Sequence, residues 1–130
     1  MTLSSVIFIA IGAVAGSLLR FSLVILLNPF TKTVSYGVLA SNLLGACLTG
    51  ILLAVLSQNA QISDTVRNGL TIGFLGGLTT FSAFTGELLM LLQSSKFYLA
   101  IIMTVLHVAG TLAVATLFYY LTKLIFNLVH

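Results

Sequence analysis

Charge is almost absent from this sequence. Five basic and two acidic side chains serve 130 residues, so charged groups make up 5% of the chain, where a soluble domain carries about 25%. A water-facing surface cannot be assembled from that inventory, which excludes soluble enzymes and scaffolds. Tryptophan is missing and proline occurs once, at Pro29. Cys47 is the sole cysteine, so no disulfide can form within the chain and nothing follows about redox compartment. Arg20, Lys32, Arg67, Lys96 and Lys123 are scattered, which leaves no patch for nucleic acid. No nucleophile, base and orienting acid can be grouped either: Asp64 is in a polar linker, and Glu87 and His107 lie in apolar runs. No lysine follows Gly76-Gly77 to hold a phosphate. Catalysis is not expected.

What remains is hydrophobic. Apolar residues make up 59% of the chain and the mean hydropathy is +1.21, the composition of an integral membrane protein. The length suffices for four helices of about 20 apolar residues and leaves too little for a separate soluble domain. The opening Met1-Thr2-Leu3-Ser4-Ser5 lacks the basic flank of a signal peptide, and the run behind it is too long for one, so it reads as a retained helix. Spans are expected at about 4–28, 34–57, 65–94 and 97–127, within one transmembrane domain, 1–130. Pro29 ends the first. The polar stretch Gln58 to Asp64 precedes the third, with Ser63 or Asp64 able to cap it. Ser94-Ser95-Lys96 turns the chain into the fourth. Gly12 and Gly16 form a small-xxx-small pair, and Gly69, Gly73 and Gly77 recur every four residues; both patterns let helices approach closely.

Four spans put both termini on one side, with Arg67 and Lys123 there and Lys32 and Lys96 on the other. An excess of Lys and Arg normally fixes the cytoplasmic side. Two against two gives no instruction, so insertion in both orientations is expected.

The third run carries its own interruption, Gly76-Gly77-Leu78-Thr79-Thr80-Phe81-Ser82-Ala83-Phe84. Each glycine weakens a helix by about 1 kcal/mol relative to alanine. The threonines and serine can hydrogen-bond backbone groups that a break leaves free. Irregular backbone at membrane depth survives only inside protein or against a water-filled cavity, and a site for an ion or small polar solute is the usual reason for it. A break at about 76–80 would aim bare carbonyls from one half and bare N–H groups from the other at the gap, the first a cation site and the second an anion site. The alternative is a plain kink filled by the Thr79 and Thr80 side chains.

Phe81 and Phe84, three apart, share one face of the second half, where two positive ring edges can receive a dehydrated anion or simply face lipid or core. Ser82 and Thr85 form a polar pair on the neighbouring face. Asn42 can donate to an anion or tie two helices together. Glu87 is the only acid within a span, about two turns past the break: a functional candidate, a partner for a basic residue, or a group at the water boundary. Arg20 can snorkel or donate to the carbonyls at the break. His107 has no second His, Cys or acid at metal spacing and reads as a satisfied core residue.

Taken together, these residues resemble the Fluc-type bacterial fluoride channels, the CrcB family, over essentially the whole length. The resemblance is carried by Gly12-Ala13-Val14-Ala15-Gly16-Ser17-Leu18-Leu19-Arg20, by Asn42-Leu43-Leu44-Gly45, by Gly76 to Phe84 followed by Glu87, and by His107-Val108-Ala109-Gly110-Thr111. It implies an all-α protein of the bacterial inner membrane with four transmembrane helices, the third broken at mid-membrane, assembled as an antiparallel dual-topology homodimer. It implies a passive channel that exports fluoride along two pathways. It further implies a structural sodium ion at the dimer centre, held by backbone carbonyls that would belong to Gly76 and Thr79. By match, Phe81 and Phe84 are the ring pair of the fluoride path and Asn42 its pore asparagine. Ser82, Thr85 and Thr111 match polar residues along the track, while Arg20, Gly77, Thr80 and Glu87 support the pore. Ala83 and Ala115 stand where the family can carry hydroxyls.

The partners expected are fluoride, the bilayer and a second copy of the chain. Two rivals share the composition. A proton-coupled small multidrug exporter needs a membrane acid, which Glu87 could be, and usually an aromatic cage. A non-transporting packing subunit would use the glycine-rich faces alone.

Overall fold

The computed structural model describes residues 2–30, 33–58 and 62–129; Met1 of the opening segment, Lys32 among the loop charges and residues 59–61 of the polar linker lie outside the described residues. The described chain is helical, and four spans are long and apolar enough to cross a bilayer. We label α1 (Leu3–Leu27), closed by a tight turn at Asn28–Phe30, and α2 (Tyr36–Ser57). The third span is α3 (residues 64–78) followed by α4 (Phe81–Gln93), and the fourth is α5 (Phe97–Val129).

The first three spans begin where the sequence offers a hydroxyl. Thr2, Ser35 and Ser63 accept the N–H groups of Ser5, Val38 and Val66 and so satisfy donors that a helix start leaves bare. Leu18, Phe21, Ile72, Leu112 and Ile125 are among the large apolar side chains facing outward, surface that lipid or another protein must cover.

The closest pairings join alternate spans, which run in the same direction: α1 lies along α3, and α2 along α5. Both glycine patterns serve the first of these interfaces. A Cβ on Gly12 would stand 2.4 Å from the Gly69 carbonyl oxygen, and one on Gly16 would stand 2.1 Å from the Phe74 oxygen and 2.7 Å from the Leu78 nitrogen. From the other side, Gly73 and Gly77 approach the Ile9 and Ala13 oxygens to 2.6 and 2.5 Å on the same measure. Backbone cannot retreat as a side chain can. Gly16→Ala is therefore expected to destabilise the protein by about 1–3 kcal/mol, as overpacking does, read as a lower thermal midpoint in detergent. Gly86→Ala is the control, because its Cβ meets nothing within 4 Å among the described residues.

α4 ends in a turn that normally uses glycine. Lys96 N–H donates to the Leu91 carbonyl at 2.9 Å and Ser95 N–H to that of Leu92 at 3.0 Å, with Ser95 at φ 55°. This is the Schellman closure, whose left-handed position penalises any residue with a Cβ. Ser95→Gly is expected to raise stability by about 0.5–1 kcal/mol in the same thermal measurement.

Candidate ion site at the third span

Helical geometry stops after Leu78. Thr79 (φ −84°, ψ 150°) and Thr80 (φ −147°, ψ 117°) are extended, and helix resumes at Phe81. Each threonine closes one side of the gap. The Thr79 hydroxyl donates to the Leu75 carbonyl at 2.8 Å, and the Thr80 hydroxyl accepts the Ala83 N–H at 3.2 Å.

Asn42 of α2 completes the closure. Its carbonyl oxygen accepts the Thr80 N–H at 2.8 Å and its NH2 group donates to the Thr80 carbonyl at 3.1 Å. One carboxamide thus supplies the partner of the Thr80 N–H and adds a bond to the Thr80 carbonyl, which already caps the helix that resumes at Phe81; within an apolar span a bare N–H is strongly disfavoured. Of the two roles open to Asn42, tying elements together is filled. The NH2 group has a second hydrogen that the bond to Thr80 does not use.

These bonds free acceptors. The Gly76 carbonyl would ordinarily receive the Thr80 N–H, which goes to Asn42, and the Thr79 carbonyl would receive the Ala83 N–H, which goes to the Thr80 hydroxyl. Neither carbonyl meets a backbone donor among the described residues. Gly76 is also exposed.

Beside the break opens a groove of about 410 Å³, with Asn42, Ala46 and Thr49 of α2 on one wall and Phe81 and Phe84 of α4 over it. The opposite wall is α5, through His107, Thr111 and Ala115. The two phenylalanine rings meet edge to face, centroids 5.7 Å apart at 64°. Phe84 is buried and stacks on the His107 imidazole at 4.4 Å, whereas Phe81 is 75% exposed. A wide π-type turn at Leu106–Gly110 carries His107, a distortion common at functional sites. Its Nδ1 donates to the Met103 carbonyl at 3.0 Å, but Nε2 is buried without a partner among the described residues. His107 is therefore only half satisfied, and with the proton on Nδ1 its Nε2 is an acceptor in the neutral ring.

The structure brings Asn42, Thr79, Thr80, Phe81, Phe84 and Thr111 together at this groove and leaves other candidates apart. Thr111 donates to the His107 carbonyl and, at 3.1 Å, to that of Val108. Ser82 and Thr85 are exposed and do not line the groove. The Ser82 hydroxyl lies 3.1 Å from that of Thr80, and Thr85 donates to the Phe81 carbonyl at 2.9 Å.

Glu87 sits in a separate cavity of about 330 Å³ with Asn28, Ser35 and Ala83. No basic side chain pairs with it among the described residues, and its cavity lies beside the turn that joins α1 to α2. It is buried, one carboxylate oxygen accepts the Ser35 N–H, and the other has no partner among the described residues. Arg20 makes no bond to the carbonyls at the break among the described residues, and its Nε is buried and unpaired. Sequence reasoning missed Thr49 as a groove residue, although its place seven residues after Asn42 puts it on the same helix face.

Four apolar spans, the third of them interrupted, define a small multi-pass helical membrane protein with a polar groove at the interruption. The sequence profile described as CrcB-like protein, Camphor Resistance (CrcB), matches residues 7–119. The Fluoride-specific ion channel FluC of Aromatoleum aromaticum is 44% identical over 114 residues, which is 86% of this chain and 87% of the relative. The protein of that name from Serratia proteamaculans is 38% identical over 115 residues, covering 88% and 91% of the two chains. That of Haemophilus influenzae strain PittEE is 36% identical over 122 residues, covering 94% and 95%. The chain belongs to the CrcB family, and with its four spans it is a multi-pass protein of the bacterial inner membrane.

Proposed function

We propose that this chain is the protomer of a passive fluoride channel, in which two copies inserted in opposite orientations export fluoride across the cytoplasmic membrane. The observation that carries the reading is the groove that joins a pair of phenylalanine rings to an amide and threonine hydroxyls beside the broken helix. The name shared by its relatives, Fluoride-specific ion channel, supports the same ion. Fluoride gives up its hydration shell only where other donors replace it. The unused hydrogen of Asn42, the groove hydroxyls and the positive ring edges are such donors.

Export needs no coupled energy source. Hydrogen fluoride crosses a bilayer neutral and ionises inside, and an inside-negative potential then drives the anion out by about 2.3 kcal/mol per 100 mV. In this reading the second copy covers Phe81, and each dimer holds two pathways. The even distribution of loop charge suits insertion both ways.

The donor set at the break fits a structural sodium ion. Gly76 and Thr79 offer carbonyls whose usual N–H partners are diverted, and carbonyl oxygen is a normal ligand for a hard monovalent cation. Bound between two copies, the ion would supply positive charge to the converging carbonyl ends. Those carbonyls, rather than side chains, are its expected ligands.

Reconstitution in liposomes tests the reading. Vesicles loaded with fluoride are expected to release it to an electrode once an ionophore shunts the charge, with chloride retained. Proton-driven uptake of a lipophilic cation would instead select an exporter built on Glu87. Silence toward all three ions would select a packing subunit.

A further inference from the structure

We infer that Thr49 is a further residue of the ion path, supplying from α2 the hydroxyl that α5 lacks at Ala115; this rests on the fluoride-channel reading of the groove. Asn42, Ala46 and Thr49 fall at i, i+4 and i+7, one face of a helix, and all three line the groove. The opposite wall repeats every four residues at His107, Thr111 and Ala115. The two walls come close together next to Thr49, where a Cβ on Gly50 would stand 2.2 Å from the Ala115 carbonyl oxygen.

At that level α5 presents a methyl group, and the neighbouring lining residues Ala46 and Leu112 are apolar as well. A dehydrated anion moving on from Thr111 would find no donor there except the Thr49 hydroxyl. A lining without donors is a barrier to such an ion. The Thr49 hydroxyl donates to the Gly45 carbonyl at 2.8 Å, a bond within its own turn. That carbonyl lies in a regular helix and already receives a backbone N–H. The hydroxyl can therefore turn its proton toward a passing anion and leave nothing unpaired.

Three variants test this in the liposome assay beside the wild type. Thr49→Val preserves shape and removes the hydroxyl, Thr49→Ser keeps it, and Thr49→Val with Ala115→Ser returns a hydroxyl to the same level from the facing wall. Thr49→Val is expected to slow fluoride efflux about tenfold, Thr49→Ser to stay within about twofold of wild type, and the double variant to recover most of the rate, as loss and return of one hydrogen bond would give. A packing role for Thr49 would not be rescued from α5. If the wild type itself releases no fluoride, the channel reading fails. If the wild type conducts and Thr49→Val conducts equally, or is slow and is not restored by Ala115→Ser, the role of Thr49 is overturned.

Discussion

Asn42→Leu is expected to abolish fluoride efflux and to destabilise the protein by about 1–3 kcal/mol, the cost of leaving the buried Thr80 N–H without a partner, since the Thr80 carbonyl, at the helix N-cap, keeps its intrahelical bond. The amide now bonds both the N–H and the carbonyl of Thr80, and leucine can replace neither bond. Thermal unfolding in detergent reads the first loss and liposome efflux the second. Asn42→Asp separates the two roles. A carboxylate still accepts the Thr80 N–H but donates nothing to its carbonyl and sets a negative charge beside the path. It should keep part of the stability and none of the flux. An Asn42→Leu protein as stable and as conductive as the wild type would remove the clamp and the donor together.

The ring pair gives the second large effect. Phe81→Ile and Phe84→Ile are each expected to lower fluoride efflux by about 100-fold, equivalent to about 2.7 kcal/mol at the barrier. Isoleucine keeps an apolar surface and discards the positive edge. Phe81 is the cleaner of the two sites, because it is 75% exposed in one copy and supports little of that copy's core. Phe84 is buried against His107, so its replacement also disturbs a stacked pair. Size-exclusion behaviour unchanged from the wild type, alongside the lost flux, would assign the effect to the path. Full flux in both variants would refute a role for the rings.

Much of this architecture is legible in the sequence because hydropathy and glycine spacing are local signals. Four apolar runs separated by Pro29, a polar linker and Ser94-Ser95-Lys96 give four spans. Gly12 and Gly16 on one run and Gly69, Gly73 and Gly77 on another announce close approach, and the backbone distances between α1 and α3 are short for that reason. The stretch from Gly76 to Phe84 marks itself by composition, and the two extended residues within it are Thr79 and Thr80.

Other features depend on which face of a helix meets which neighbour. Spacing pairs Ser82 with Thr85 but does not say that neither lines the groove within one copy. Glu87 takes a backbone N–H from Ser35, a donor every residue but proline possesses, so no sequence signal marks it. The bare carbonyls of Gly76 and Thr79 follow from bonds made by Asn42 and by the Thr80 hydroxyl, one of them 38 positions distant. Thr49 looks like any back-bonded hydroxyl in a helix until its face is seen to continue that of Asn42.

The most direct measurement of fluoride conduction is the zero-current potential of the purified protein in a planar bilayer with fluoride held at different concentrations on the two sides. Passive selective passage predicts a potential of about 59 mV for each tenfold fluoride gradient, the value for a single charge, with a chloride gradient of the same size giving almost none. A potential that follows protons or chloride instead, or no current at all, would contradict it.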